Sequence, residues 1–316
     1  MKKFAFVFPG QGSQSVGMLD AWGQHPLVVQ ALQEASEALG EDLAQLISQG
    51  PKDALALTTN TQPVMLVAGV AVYRVWMAEV GVAPELVAGH SLGEYSALVA
   101  AGVLTLAQAA PLVRFRAQAM QQAVPVGVGA MAAVLGLDSA QVVAACAQTQ
   151  ASFGAGSTEV VEAANFNDPA QTVIAGSKAA VEKACELLKS MGAKRTLPLP
   201  VSAPFHSSLM KPAAEQLKTR LESVNFTAPR IPVLNNVDVA MESDVKRIRD
   251  ALVRQAFGPV RWVECVRAMQ ARGLVDVVEC GPGKVLAGLT RRIDASLNGL
   301  ALFDPASLTL VKEQLA

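Results

Sequence analysis

Ala88-Gly89-His90-Ser91-Leu92-Gly93-Glu94 is a Gly-x-Ser-x-Gly sequence, and its flanks decide the fold. Before it, Glu85-Leu86-Val87-Ala88 reads as a short buried strand. After it, Glu94-Tyr95-Ser96-Ala97-Leu98-Val99-Ala100-Ala101 reads as a helix. A strand-to-helix elbow exposes the hydroxyl of its central serine at the carboxyl end of a sheet. The flanking residues are glycines because bulkier side chains clash in so tight a turn. The amide after the serine then lies at a helix N-terminus, aimed where an oxyanion forms. The expectation is a serine nucleophile that carries an acyl group.

Outward from the elbow, strand-like runs (Phe4–Phe8, Leu86–Ala88, Val275–Glu279) alternate with helical patterns such as Pro63–Val80 and Leu106–Ala123. Such alternation predicts an α/β protein with a mainly parallel sheet. Ligands then sit at the carboxyl ends of the strands. Residues 130–198 have their own rhythm. Strand-like Ala130–Leu137 is followed by an amphipathic helix, Asp138–Thr149. Strand-like Val160–Phe166 and Thr172–Gly176 are joined by the turn Asn167-Asp168-Pro169. A helix over Lys178–Met191 and a strand over Arg195–Leu199 complete the segment. That order, β-α-β-β-α-β, predicts a small ferredoxin-like subdomain at 129–198. It is inserted into a large α/β-hydrolase-like core made of 1–128 and 199–316.

Composition narrows the function class. The chain has 316 residues, 51% of them hydrophobic and 17% charged, with a formal net charge of −1. That describes a compact soluble protein and argues against bulk nucleic-acid binding. The four cysteines are far apart, and there are only three histidines. Reduced buried thiols are expected, and no metal site. Phe4–Phe8 is too short for a signal peptide and ends at Pro9-Gly10. Ser96 to Val113 carries no charge, but Gly102, Gln108 and Pro111 interrupt it, so two packed helices are expected rather than a membrane span. A cytoplasmic protein is expected.

A serine hydroxyl needs a base to take its proton. His25 precedes Pro26 among polar residues and reads as a surface residue. His90 adjoins Ser91, and neighbouring side chains on an elbow diverge. His206 lies in the loop Ser202-Ala203-Pro204-Phe205-His206-Ser207-Ser208, and by elimination it is the expected base. A hydrolase triad would add a carboxylate. Asp168 is the obvious loop acid, but Asn-Asp-Pro is turn chemistry, and the choice stays open. Phe8-Pro9-Gly10-Gln11-Gly12 lacks the Lys-Ser/Thr of a phosphate-binding loop. It reads either as a simple turn or as a source of a second oxyanion donor. Arg114 and Arg116 lie two apart in an apolar helix, so they point in different directions. A surface salt bridge and a cation for a substrate carboxylate are the two readings. Lys189, Lys194, Arg195 and Lys211 flank the sequence leading into His206 and form a candidate docking face for an acidic protein.

Together these residues resemble the acyl-carrier-protein S-malonyltransferase family of fatty-acid synthesis, over essentially the whole chain. The signposts are Phe8-Pro-Gly-Gln11-Gly, Gly89-His-Ser91-Leu-Gly-Glu, Arg116, Pro204-Phe-His206, Asn235-Asn-Val and Gln255. Gly129-Ala-Met-Ala-Ala, Asn165-Phe-Asn167 and Gly281-Pro-Gly-Lys284 add to them. The resemblance implies that Ser91 is the nucleophile and His206 the base. It implies that the backbone carbonyl of Gln255 orients His206 in place of a triad acid, and that the amides of Gln11 and Leu92 form the oxyanion hole. Arg116 is implied to hold the malonyl carboxylate, with His90, Asn165 and Phe205 at the substrate. Malonyl-CoA and acyl carrier protein are the implied partners of a monomeric enzyme that needs no cofactor. The implied chemistry is ping-pong transfer through a malonyl-serine ester. A serine hydrolase using Asp168, a non-catalytic scaffold, and a malonyltransferase serving malonate decarboxylase or a polyketide pathway are the alternatives.

Overall fold

The computed structural model describes residues 1–201 and 203–316. Among the described residues there are nine strands: β1 (Phe4–Phe8), β2 (Leu86–Gly89), β3 (Gly129–Leu135), β4 (Val161–Asp168), β5 (Gln171–Ser177), β6 (Arg195–Pro198), β7 (Val233–Leu234), β8 (Asp276–Cys280) and β9 (Asn298–Leu302). They make two sheets. The larger has order β7-β2-β1-β8-β9, and every pairing in it is parallel. The smaller has order β4-β5-β3-β6, with every pairing antiparallel.

β1 is buried at all five positions, as a central parallel strand covered on both faces must be. Its Phe4 and Phe6 meet Trp76 edge to face at 5.6 and 5.4 Å. Trp76 belongs to the helix Thr58–Glu79, most of which is buried. The helical pattern from Pro63 therefore extends five residues toward the N-terminus, and Pro63 sits inside the helix. Pro111 likewise lies within the helix Leu106–Gln122 instead of interrupting it. A capping box closes the start of that helix: Thr105 accepts from the Gln108 amide while the Gln108 side chain reaches back. The uncharged stretch from Ser96 thus divides between this helix and the shorter Gly93–Ala100. Among the described residues no helix is long and apolar enough to cross a membrane.

The small sheet is an insertion in chain order. The chain leaves the helix Leu106–Gln122, runs through β3 to β6, and then enters the loop that carries His206. Asp138 caps the helix Ser139–Ala151, and the helix Lys178–Ser190 follows β5. β4 also bridges to the large layer: the Phe166 amide donates to the Val260 carbonyl at 2.9 Å, and the Val260 amide to the Ala164 carbonyl at 2.9 Å. The register of β4 on β5 slips between Ala163 and Asn165. Irregularities of this kind re-aim side chains beside functional sites, and Asn165 faces the cavity described next.

Candidate active site

The elbow forms as its glycines demand. A Cβ on Gly89 would lie 1.9 Å from the Gly93 carbonyl carbon, and one on Gly93 would lie 2.1 Å from the Phe8 oxygen. Both glycines are therefore required by close approach. Ser91 has φ of 52°, the left-handed region that side chains normally avoid. Asn236 holds it there. The Ser91 amide donates to Asn236 Oδ1 at 2.7 Å, while Asn236 Nδ2 donates to the Gly89 carbonyl at 2.7 Å. Asn236 follows β7, whose pairing with β2 brings it beneath the elbow.

Ser91 Oγ lies 2.7 Å from His206 Nε2. On the other side of the ring, Nδ1 faces the carbonyls of Gln255 at 2.8 Å and Gly258 at 3.1 Å. Carbonyls only accept, so Nδ1 carries the proton and Nε2 is free to accept from the serine. Burial, with Arg116 nearby, pushes the His206 imidazole down to about 3, so it rests neutral. His206 itself has φ of 61°. Its loop is seated from several sides. The Ser208 amide donates to Glu162 of β4 at 2.6 Å, and the Ser207 hydroxyl donates to the Pro204 carbonyl at 2.7 Å. Pro204 lies against Gly129, where a Cβ would come within 2.3 Å of the proline ring. Ser202 of this loop lies outside the described residues.

Asp168 is elsewhere. It accepts from Arg292 Nε at 2.8 Å and from the Ala170 amide at 2.9 Å, which is ion-pair and turn work. His25 bonds Glu79 at 3.0 Å, at the start of a helix. His90 Nε2 meets Asn167 Oδ1 at 2.8 Å, and burial lowers its basicity. Neither histidine approaches the serine hydroxyl as His206 does.

The two arginines divide as their spacing allows. Arg114 makes a bidentate pair with Glu41 at 2.7 and 2.6 Å. Arg116 turns inward and is 1% exposed. It donates to Gln62 Oε1 at 2.9 Å, to Gln255 Oε1 at 3.0 Å and to Ser91 Oγ at 3.2 Å. Among the described residues no carboxylate lies within ion-pair distance of it, and its Nε has no partner. Tyr95 stacks beneath it at 5.5 Å. A buried guanidinium with only neutral partners is a ready site for an anion.

These groups open into a cavity of about 130 Å³. Gln11, Gln62, His90, Ser91, Leu92, Arg116 and His206 line it together with Met120, Met131, Asn165, Leu199, Val201 and Phe205. The Leu92 amide sits at the N-cap of the helix Gly93–Ala100. Among the described residues neither it nor the Gln11 amide has an acceptor. The Gln11 side chain is tied back to Thr58 at 3.2 Å. The docking candidates Lys189, Lys194, Arg195 and Lys211 are all exposed. Arg195 pairs with Leu135, and Lys194 lies over Gly136. That is the opposite end of the small sheet from Met131 and Leu199. Lys211 instead begins the helix after the His206 loop. The four cysteines are free, and no metal-binding cluster of His, Cys, Asp or Glu occurs among the described residues.

Three parts of the site escape sequence reading. Asn236 is one. Gln62 is another, a polar residue near the start of a mostly apolar helix. The third is the Gln255 side chain, whose Nε2 donates to the Ser91 carbonyl and to Glu94 Oε2, each at 3.0 Å. Buried polar residues inside apolar runs, such as Glu94 and Gln62, are the signal that could have found them.

Residues 5–293 match the model of the acyl transferase domain family. The chain is 54% identical to the malonyl CoA-acyl carrier protein transacylase of Haemophilus influenzae, over 99% of each chain. It is 63% identical to the crystal structure of an acyl-carrier-protein S-malonyltransferase from Burkholderia pseudomallei. That comparison has a TM-score of 0.95 and covers 98% of this chain and 99% of that one. A malonyl-transacylase solved with a type II polyketide-synthase acyl carrier protein is 49% identical, with a TM-score of 0.95 over 99% and 100% of the two chains.

Proposed function

This chain belongs to the acyl transferase family, among the malonyl CoA-acyl carrier protein transacylases, and we propose that Ser91, His206 and Arg116 carry out its reaction. It is an acyltransferase that moves malonyl from malonyl-CoA to acyl carrier protein, in fatty-acid synthesis. The observation that carries the residue assignment is Arg116, a buried cation without a carboxylate, donating to the same oxygen that faces His206.

Malonyl-CoA enters with its free carboxylate on Arg116, displacing the contacts to neutral groups. Ser91 Oγ attacks the thioester carbon as His206 Nε2 takes the hydroxyl proton. The amides of Gln11 and Leu92 receive the charge on the thioester oxygen. The carbon–sulfur bond breaks, and the imidazolium returns its proton to the CoA sulfur. Burial, with Arg116 nearby, keeps that imidazolium strongly acidic even against the carbonyls on Nδ1, which favours the return. The malonyl-Ser91 ester then meets the phosphopantetheine thiol of the carrier protein. His206 takes the thiol proton, sulfur attacks the ester carbon, and Ser91 is restored. His90, Asn165 and Phe205 complete the acyl pocket.

We read the parallel layer as α/β-hydrolase-like, and residues 129–198 as a ferredoxin-like subdomain inserted between 1–128 and 199–316. The strand order β4-β5-β3-β6 with antiparallel pairing supports this. The free thiols support work in the cytoplasm. A polyketide carrier is the second reading, favoured by the complex just described. Intact-mass spectrometry tests the mechanism. Mixing with malonyl-CoA adds one malonyl group, which Ser91→Ala abolishes and which leaves on adding holo carrier protein. An adduct on a cysteine overturns the mechanism. Offering fatty-acid and polyketide carriers in competition decides the pathway.

A further inference from the structure

Glu94 takes no part in these transfer steps, yet it is 2% exposed and lies within the same network. Its Oε2 accepts from the Asn236 amide at 3.0 Å and from Gln255 Nε2 at 3.0 Å. The opposite end of that Gln255 amide accepts from Arg116 at 3.0 Å. Gln255 is wholly buried, so its dipole is fixed, with hydrogens toward Glu94 and oxygen toward Arg116. A carboxylate and a guanidinium are thus joined through one amide. A buried cation needs an opposing charge nearby, and among the described groups Glu94 is the carboxylate that interacts with Arg116 through space.

We propose that Glu94 is the resident counter-charge of Arg116, coupled to it through the Gln255 amide, and that it sets how strongly the site prefers an acyl group bearing a carboxylate. The proposal rests on Arg116 holding the malonyl carboxylate. Malonyl brings a second negative charge to a cation already balanced by the first. An ionised Glu94 therefore weakens malonyl binding and leaves acetyl, which is neutral, untouched. The gain from this arrangement is turnover: the hold on the carboxylate stays loose enough for malonyl-carrier protein to leave once the thiol has taken the acyl group. Glu94 also fixes Gln255 and Asn236 beneath the elbow, and that task needs only an acceptor oxygen.

The two tasks separate in Glu94→Gln, which keeps an acceptor oxygen and removes the charge. At mildly alkaline pH, kcat/KM is measured with malonyl-CoA and with acetyl-CoA. The malonyl-to-acetyl ratio is expected to rise roughly tenfold, as unit charges about 10 Å apart at an effective dielectric near 20 would give. Acetyl transfer is expected to stay within about threefold. Glu94→Ala, which lacks the oxygen, lowers kcat for both acyl groups, and Glu94→Gln restores it. A folded Glu94→Gln enzyme with an unchanged or lower ratio overturns the proposal.

The unaltered enzyme supplies a second measurement that needs no variant to fold. Burial pushes the Glu94 carboxyl up to about 7, against the hydrogen bonds from Gln255 and Asn236. The malonyl-to-acetyl ratio is therefore expected to rise as pH falls through that value. The other groups facing this network hold one form there. Arg116 stays charged, and burial keeps the Tyr95 phenol up at about 12 and the Cys265 thiol raised. Arg254 holds Asp238 down, burial lowers His90, and His206 sits at about 3. A flat ratio overturns the proposal. Arg116→Ala distinguishes the two failures. If it collapses the ratio while Glu94→Gln and pH leave it unmoved, the clamp stands and the counter-charge falls.

Discussion

Replacing Arg116 by alanine removes a fully buried cation and three hydrogen bonds at once. Two of those bonds matter for any acyl group, since Ser91 Oγ and Gln255 Oε1 each lose a donor. That shared loss is expected to cost about tenfold in kcat/KM for acetyl and malonyl alike. The malonyl carboxylate suffers a further loss, because it is buried with no positive partner. Leaving a buried charge unpaired costs roughly 3–5 kcal/mol. At about 1.4 kcal/mol per factor of ten, malonyl transfer falls by a further 10²–10³-fold or more. Arg116→Lys keeps the charge, but one ammonium cannot reproduce the fork to Gln62 and Gln255, so it falls between. The assay is steady-state transfer from malonyl-CoA and acetyl-CoA to one carrier protein, compared as the ratio of kcat/KM values. If Arg116→Ala changes that ratio by less than about threefold, Arg116 is structural and the carboxylate-clamp reasoning is refuted.

The remaining expectations follow the same geometry. His206→Ala should slow formation of malonyl-Ser91 by about 10²–10⁴-fold, whereas Asp168→Asn, which disturbs only the Arg292 pair and a turn, should change it little; equal damage from both in folded protein would revive the carboxylate triad. Because the His206 imidazole is held at about 3 instead of its ordinary 6.5, acylation should show no inflection at the ordinary value. By the same linkage, the unfolded chain binds that proton more readily, so His206 contributes stability that is lost as pH falls from 6.5 toward 3. A kcat/KM profile and denaturation midpoints across that window check both signs. Asn236→Ala strips partners from the Ser91 amide and the Gly89 carbonyl, at a cost of roughly 2–5 kcal/mol; calorimetry showing no fall in Tm would mean the elbow is held by packing alone. Charge reversal at Lys189, Lys194, Arg195 or Lys211 should slow transfer to carrier protein at low salt and leave malonyl-Ser91 formation unchanged; four silent reversals would remove that face.

Local chemistry made much of this architecture legible. β1 and β2 are buried apolar runs, β8 is buried throughout despite Asp276 and Glu279, and the β-α-β-β-α-β order carried its own caps and turns, Asp138 and Asn167-Asp168-Pro169 among them. Helix boundaries around Pro63 and Pro111 were harder to read, because tertiary burial of the helices containing them outweighs the local penalty of proline. Ser91 was readable because its neighbours must be glycine. His206 followed from a scarcity of histidines. Asn236, Gln62 and the side chain of Gln255 were not readable, since each acts through a contact more than fifty residues away in the chain. Nothing about a glutamine's own neighbours says that its two ends will face a glutamate and an arginine. Which of Arg114 and Arg116 turns inward was undecidable for a similar reason: Glu41, which takes Arg114, lies on a different segment.

The insertion of the small sheet between the helix bearing Arg116 and the loop bearing His206 divides the labour of the cavity. Ser91, Arg116, His206 and Gln255, the groups proposed to move protons and hold charge, all hang from the parallel layer and its helices and loops. Met131, Asn165 and Leu199 belong to the four-stranded sheet or its immediate exit, and they line the same cavity. Substitution at those positions can widen, narrow or re-polarise the space for an acyl chain while the proton path stays intact. A lineage can therefore change its diet without relearning its chemistry. The two amide–carbonyl bonds between β4 and Val260 mark the seam across which such changes must remain compatible.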